Sequence, residues 1–337
     1  MKQKMLILTD HRSHENTNSL YSLAVALRKD LRCGEVWVCS RGVEENQIFF
    51  SGLGGGSIVA APIGEDFHFE TEGIFFQKTK VEINPDQMDV VLIRLPQPVN
   101  VLFMQSLKKV FPLQKIVNNP LGIVETSSKA FLVQLKHLCP MPVLCYTAEE
   151  ALALSEQYEL VLKPMYSYGG KGLFRISKDW IWKENERFPS NQWKVLLKEM
   201  FFPMLSMRFL NRVTEGDKRT LIINKKILGS AIRFPPADHW ICNVAKGGHA
   251  VLSSPDKDEL KIESELTPML FEKGIVKYGF DTLIDDDGKR VLSEINTMSV
   301  GGLMPLQEMS GRPVVEEAAR GIWDYVSAPK SPKGDFM

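Results

Sequence analysis

The sequence predicts an α/β protein built as α+β lobes. Three observations predict it. Strand–helix–strand spacing fills the first third, helix and strand signals mix in the middle, and the last third reads as antiparallel hairpins. A chain of 337 residues leaves room for about two or three domains.

Lys4–Thr9 (KMLILT) is a short apolar run and reads as a buried strand. Leu20, Leu23, Ala24 and Leu27 then make a helical stripe, with Thr17 or Asn18 as its cap. Glu35–Ser40 (EVWVCS) is the second strand, so the opening is a βαβ unit in a parallel sheet. Asp89–Leu95 and Lys115–Pro120 add two strands around a helix in VNVLFMQSLKKV. In the middle third a helix is expected from Thr126 to Lys136, which puts Lys129 in its first turn. PVLCY and ELVLKP read as strands on either side of a capping box at Thr147 and Glu150. LFRIS would pair with ELVLKP, and Trp193–Met200 is a further strand candidate. TLIIN-KK-ILGSAIRF and YGFDTLI-DDDG-KRVLSEIN read as hairpins, with helices at Asp256–Lys273 and Pro313–Tyr325.

Composition excludes several function classes. Lys+Arg and Asp+Glu balance at 41 each, so no net field favours nucleic acid or an anionic membrane. The five cysteines are odd in number and form no C-x-x-C, which argues against a disulfide framework or structural zinc. No apolar stretch reaches the ~20 residues of a membrane span. A soluble, cytoplasmic protein is the expectation. The six histidines make no H-E-x-x-H, and no G-x-S-x-G anchors a serine hydrolase.

The C-terminal hairpin carries the most chemistry. With Asp287-Gly288 as its turn, Asp281 lies directly opposite Glu294, and Asn296 shares their face. Leu283 falls on the same acidic face. Opposed carboxylates repel unless a cation lies between them. Asp, Glu and Asn are hard oxygen ligands that suit Mg²⁺. The alternative is a solvated strand face with the register moved by a residue.

KPMYSYGGKGLF, from Lys163, is the candidate phosphate grip. It fails the G-x-x-x-x-G-K-[ST] pattern, because Gly172 follows Lys171. Lys163 closes a strand, and Lys129 sits where a helix dipole favours anions. Arg219 and Arg233 flank the open end of a hairpin that turns at Lys225, and arginine forks suit carboxylate and phosphate. SGLGGGS (Ser51–Ser57) is richer in glycine but has no lysine and no following helix, so it reads as a plain loop.

The order Lys129, VLKP with Lys163, YSYGGKGLF, Glu199, GDKR, AIRFP, CNVAKGG, GFD with Asp281 and SEINTMS resembles the ATP-grasp ligases, and most closely the prokaryotic glutathione synthetase family. The resemblance covers nearly the whole chain and implies an ATP-grasp fold. Residues 1–122 would be an N-terminal Rossmann-like pre-ATP-grasp domain, 123–200 the central lid subdomain and 201–327 the C-terminal subdomain, with 328–337 a disordered tail. It implies ATP and Mg²⁺ (or Mn²⁺) as cofactors, amino-acid or dipeptide substrates, and a dimer or tetramer. Lys129 and Lys163 would hold phosphates under a lid of Tyr168, Gly169, Gly170, Lys171 and Gly172. Glu199, Met200, Phe201 and Phe202 would meet adenine and ribose. Asp281, Glu294 and Asn296 would bind the metal. Arg233, Arg219 and Asn243 would serve catalysis, and Arg94, Arg219, Ser299, Gly301 and Gly302 the substrates. Two stretches depart from the family pattern: TMSVGGL after Asn296, and DHWICNV before the glycines of CNVAKGG.

Overall fold

The computed structural model describes residues 2–53, 57–184, 186–196, 200–237, 239–242 and 247–329. The first sheet contains β1 (Gln3–Thr9), β2 (Cys33–Ser40), β3 (Ile58–Pro62), β4 (Val81–Ile83), β5 (Val90–Ile93) and β6 (Lys115–Val117), in the order β4-β3-β2-β1-β5-β6. The four strands β2, β1, β5 and β6 run parallel, as the βαβ spacing predicts. The antiparallel edge strands β3 and β4 have no counterpart in the sequence reading. Met5–Leu8 are fully buried on both faces, so both faces must be covered. Leu6 and Leu8 pack with Phe103, Met104 and Leu107 of the helix Val101–Val110. Met5 and Ile7 pack with Leu20, Leu23 and Leu27 of the helix Leu20–Lys29.

A second layer on that face comes from the other end of the chain. Val314, Val315, Ala318, Ala319, Ile322, Trp323 and Val326 form the buried stripe of the helix Val314–Ser327. They join the same core as Ile7 and Leu92 of the first sheet and Leu221 and Ile223 of the third. The expected lobe of residues 1–122 therefore does not enclose a core of its own.

The second sheet holds β7 (Val143–Cys145), β8 (Leu160–Pro164), β9 (Phe174–Ile176), β10 (Trp180–Lys183), β11 (Glu186–Pro189) and β12 (Met204–Arg208), in the order β11-β10-β9-β8-β12-β7. β12 bonds to both β7 and β8, so the expected boundary at residue 200 cuts this sheet. The change to the third sheet falls after Arg208. Three local expectations are also corrected. The helix cap is Ser19, while Asn18 Oδ1 accepts the Leu20 N–H at 3.0 Å. The helix expected from Thr126 instead ends there: Asn119 and Pro120 start it, an acceptor side chain followed by a preset φ. Lys129–Leu135 then forms a tighter 3₁₀ segment capped by Ser128, and the Lys129 N–H donates across to the Met165 carbonyl at 3.0 Å. Trp193–Leu196 is helical rather than extended, because Trp193 and Leu196, three apart, both turn onto the core of this sheet.

The third sheet holds β13 (Asp217–Ile223), β14 (Lys226–Phe234), β15 (His249–Ser253), β16 (Lys277–Ile284) and β17 (Arg290–Asn296), in the order β15-β14-β13-β16-β17, all antiparallel. β13 and β14 turn at Asn224-Lys225, with φ of 48° and 64°. Such a left-handed two-residue turn matches strand twist. Asp256 and Glu259 form the capping box of the helix Lys257–Glu272, which covers the sheet face carrying Tyr278 and Phe280.

The β16–β17 hairpin reaches the expected register by another route. Asp285 and Lys289 close a tip in which Gly288 has φ 83°, so Asp287-Gly288 is not a two-residue turn. Ile284, Leu283 and Thr282 pair with Arg290, Val291 and Leu292. Ser293 is then an extra residue, a bulge, and beyond it Asp281 pairs with Glu294 and Gly279 with Asn296.

Candidate functional site

A cavity of about 520 Å³ opens where the second and third sheets face each other and reaches the first. β8 contributes Lys163 and Val161. The loop after it contributes Ser167, Tyr168, Gly169 and Gly170. β13, β14 and β17 contribute Arg219, Arg233, Glu294 and Asn296, while Asn18 and Gln97 come from the N-terminal lobe.

Lys163 sits at the end of β8, and its Nζ donates to the carbonyl and the Oγ of Ser293, both at 3.0 Å. The bulge thus turns a strand carbonyl toward an ammonium. Burial lowers the Lys163 pKa, and the Glu294 charge opposes that. Lys129 is buried; its Nζ bonds the Ser167 carbonyl and lies 3.2 Å from Glu294 Oε1 and 5.0 Å from the centre of the Tyr168 ring. Burial pushes the Tyr168 hydroxyl up to about 12. Because Ser128 Oγ caps the segment that begins with Lys129, Ser128→Ala is expected to cost about 1 kcal/mol of stability, read by urea unfolding.

The acidic face is crowded with cations. Arg219 grips Asp281 through Nε and Nη2, both at 2.7 Å, and Arg233 Nη2 lies 3.0 Å from the same carboxylate. Arg233 also forks onto Asp217 with two bonds of 2.6 Å. Burial raises the Asp281 pKa, but Arg219 and Arg233 outweigh it and hold the carboxyl well below the usual range. Burial, reinforced by the Asp281 charge and opposed by Arg233, pushes Asp217 up to about 6. Asn296 Nδ2 faces Asp281 Oδ2 at 3.5 Å. Among the described residues no group of three or more His, Cys, Asp and Glu is arranged to hold a metal; the expected set of Asp281, Glu294 and Asn296 offers two carboxylates and one amide.

The loop glycines are conformationally required. Gly169, Gly170 and Gly172 have φ of 67°, 73° and 71°. A Cβ on Gly170 would meet Ile241 Cγ2, on the opposite cavity wall, at 2.4 Å. Gly170→Ala is therefore expected to force the loop and Ile241 apart and to cost about 1 kcal/mol or more of stability, checked by urea unfolding followed by circular dichroism.

The remaining expected residues fall in different places. Ser299 and Gly301 line the cavity; Gly302 starts the helix Leu303–Ser310 beside the Arg219 stem. Lys171 is exposed and Gly172 bonds Glu184, and neither lines the cavity. Arg94 is buried behind the wall. Glu199 and Asn243 lie outside the described residues. Met200 and Phe202 are corrections: they pack with Trp193 and Leu152 in the core of the second sheet, and Phe201 is 87% exposed. What lines the apolar end of the cavity is Met207–Leu210, with Val161, Leu173, Trp240, Ile241 and Leu283. Asp217, Ser293 and this apolar wall escaped the sequence reading. Asp217 gave no signal: a turn at Asn224-Lys225 by itself sets it opposite Ile232, and only the register shift between Leu221 and Ile222 brings it to Arg233.

The two facing sheets thus bring Lys163 from one and Glu294 and Asn296 from the other to a single cavity. The fold agrees with that of known ligases. D-cycloserine synthetase DcsG superposes with a TM-score of 0.61 at 11% identity, over 96% of this chain and 99% of that one. ATP-grasp ligase PsnB, solved with a minimal precursor, Mg and ADP, gives 0.56 at 10% identity, over 96% and 98%. This is an ATP-grasp fold, and the protein is an ATP-dependent ligase. Residues 128–311 match the prokaryotic glutathione synthetase ATP-grasp domain, and the chain belongs to that family. Glutathione synthetase of Rhodopseudomonas palustris is 29% identical over 249 residues, 72% of this chain and 74% of its own length.

Proposed function

We propose that this ligase joins γ-glutamylcysteine to glycine, with ATP converted to ADP and phosphate. One observation carries the reading: Glu294 and Asn296 line one cavity with Lys129 and Lys163, and Asp281, the register partner of Glu294, is gripped by Arg219 and Arg233 of that same cavity. A carboxylate is a poor electrophile, because its leaving group would be oxide. In this reading the donor carboxylate oxygen attacks the γ-phosphorus and ADP leaves. The amine nitrogen of the acceptor then attacks the acyl carbon, gives up a proton, and phosphate departs.

The residues fit their proposed parts. Lys129 and Lys163 hold phosphate oxygens, and Ser293 keeps Lys163 aimed. The apolar wall of Phe209, Leu210, Trp240 and Ile241 takes the adenine, in place of residues 199–202. Arg219 orients the donor carboxylate, and Arg233, with Asn243, stabilises the oxyanion that forms at the acyl carbon. Tyr168–Gly170 excludes water, which would hydrolyse the acyl phosphate. Asp281, Glu294 and Asn296 fit Mg²⁺ by donor chemistry: three hard oxygens on one face, whose charge Arg219, Arg233 and Lys129 now balance. When bound, Mg²⁺ supplies charge neutralisation at the transferring phosphoryl group.

A phosphate-release assay with Mg-ATP over a matrix of donors and acceptors tests this. Release that requires γ-glutamylcysteine and glycine together is expected. Release only with other pairs defeats the glutathione reading and leaves the ligase chemistry. The segment Thr297–Gly302 favours that second reading, because Met298, Ser299 and Val300 replace the family pattern on the cavity wall.

A further inference from the structure

We propose that Arg94 and Lys277 form a buried site for a second carboxylate of the donor, remote from the one that is activated; this rests on the ligase reading above. Both side chains are buried, at 3% and 4% exposed. Arg94 Nε and Nη1 and Lys277 Nζ have no hydrogen-bond partner among the described residues. Arg94 Nη2 makes only long contacts, 3.4 Å to Asn18 Oδ1 and 3.5 Å to Ser19 Oγ. Burial lowers the pKa of both groups, to about 10 for Arg94, and the Arg94 charge lowers Lys277 further. Two neighbouring basic groups out of water, with donors unused, are costly to keep, the more so when charged. An anion relieves both the repulsion and the empty donors.

The place is one where ligands are held. Arg94 follows β5, at the C-terminal ends of the parallel strands β1 and β5. β2 lies on the other side of β1, so the chain departs in opposite directions there, which opens a crevice. Ser19, the cap of the helix Leu20–Lys29, makes no side-chain bond to that helix, and its Oγ lies 3.5 Å from Arg94 Nη2 at the helix's positive pole. Asn18 is the shared wall: it touches Arg94 on one side and lines the ligase cavity on the other. Lys277 shares the face of β16 that carries Asp281, four residues away, or about 13 Å along the strand. A γ-linked dipeptide whose reacting carboxylate lies near Asp281 spans that gap once the Lys277 side chain reaches toward it. A donor with one carboxylate leaves the pair unsatisfied.

The test compares wild type with Lys277→Met and Lys277→Gln, the second guarding against a packing defect in the first. Binding of γ-glutamylcysteine and of 4-aminobutyryl-cysteine, which lacks the glutamyl α-carboxylate, is measured by calorimetry with Mg-AMPPNP present. Wild type should prefer the former about 50-fold, and both variants less than ~3-fold. An unchanged preference in the variants, or none in wild type, overturns the site. A second arm needs neither dipeptide. Ligand-free Lys277→Met should melt higher than wild type, and sodium sulfate at fixed ionic strength should raise the wild-type Tm more than the variant's. Equal rises, or a lower variant Tm, count against the anion site. If wild type binds neither dipeptide, the glutathione reading fails while the sulfate arm still decides the site.

Discussion

Lys163→Met should lower kcat/KM for ATP by about 10²–10³-fold and leave the protein folded. The lysine stands at the end of β8, half-buried, with its ammonium fixed between the carbonyl and the hydroxyl of Ser293. In the proposed reaction that arrangement would present a positive charge to phosphate without reorganisation, which is where a preorganised donor is worth most. Methionine keeps the length of the stem and the packing against the strand. The charge removed is one that burial already disfavours, so the fold loses two hydrogen bonds and regains desolvation. Stopped phosphate-release kinetics and thermal melting measure the two halves. Activity within threefold of wild type would remove Lys163 from the phosphate site. Glu294→Gln in the same assay should cut kcat by a similar factor, since it strips one of the two register-paired carboxylates.

The largest expected stability effect lies far from the cavity. Trp323→Ala should cost about 3–5 kcal/mol. Trp323 is fully buried, and its Nε1 donates to the Leu27 carbonyl at 3.0 Å. The substitution leaves a hole between the last helix and the first, and strips the carbonyl at the end of the first helix of its partner. The loss should be felt at the opposite end of the chain. Hydrogen exchange is expected to accelerate in Leu20–Lys29 and in β1, because Val314–Ser327 forms the second layer over them. Exchange that rises only within residues 314–327, with an unchanged melting temperature, would refute the shared core.

Legibility followed the range of the interactions. Short apolar runs and hairpins depend on neighbours in sequence, and β1, β2, β5, β8, β9 and the two C-terminal hairpins were read at the right places. The face shared by Asp281, Glu294 and Asn296 was legible because strand alternation is local, although the turn assumed for it was wrong. Residues 200–202 were expected at the cavity and lie away from it, because an apolar wall has no motif of its own. Met207–Leu210 reach the cavity only since β12 lies between β7 and β8, which no pattern within Met204–Arg208 announces. Lys277 was invisible for the same reason: a lysine in a strand reads as a surface charge until the sheet is closed over it. The interlocked lobes were missed because Trp323 and Leu27 are joined only by tertiary structure.

The extra residue at Ser293 has a consequence for how this hairpin tolerates change. Alternation makes every strand a parity code, in which odd and even positions belong to opposite sides. Leu292 is fully buried on the hydrocarbon side, and without an extra residue Glu294, two positions on, would share that side. Ser293 switches the parity once, so Glu294 emerges opposite Asp281 and lines the cavity. Deleting Ser293 alone would send the carboxylate into the hydrocarbon layer, and lengthening the tip by one residue would ask for a second switch. The acidic tip is held by the Asp285 carboxylate and by the Arg208–Asp286 pair, but it is the count of residues between Asp281 and Glu294 that sets which side the second carboxylate takes.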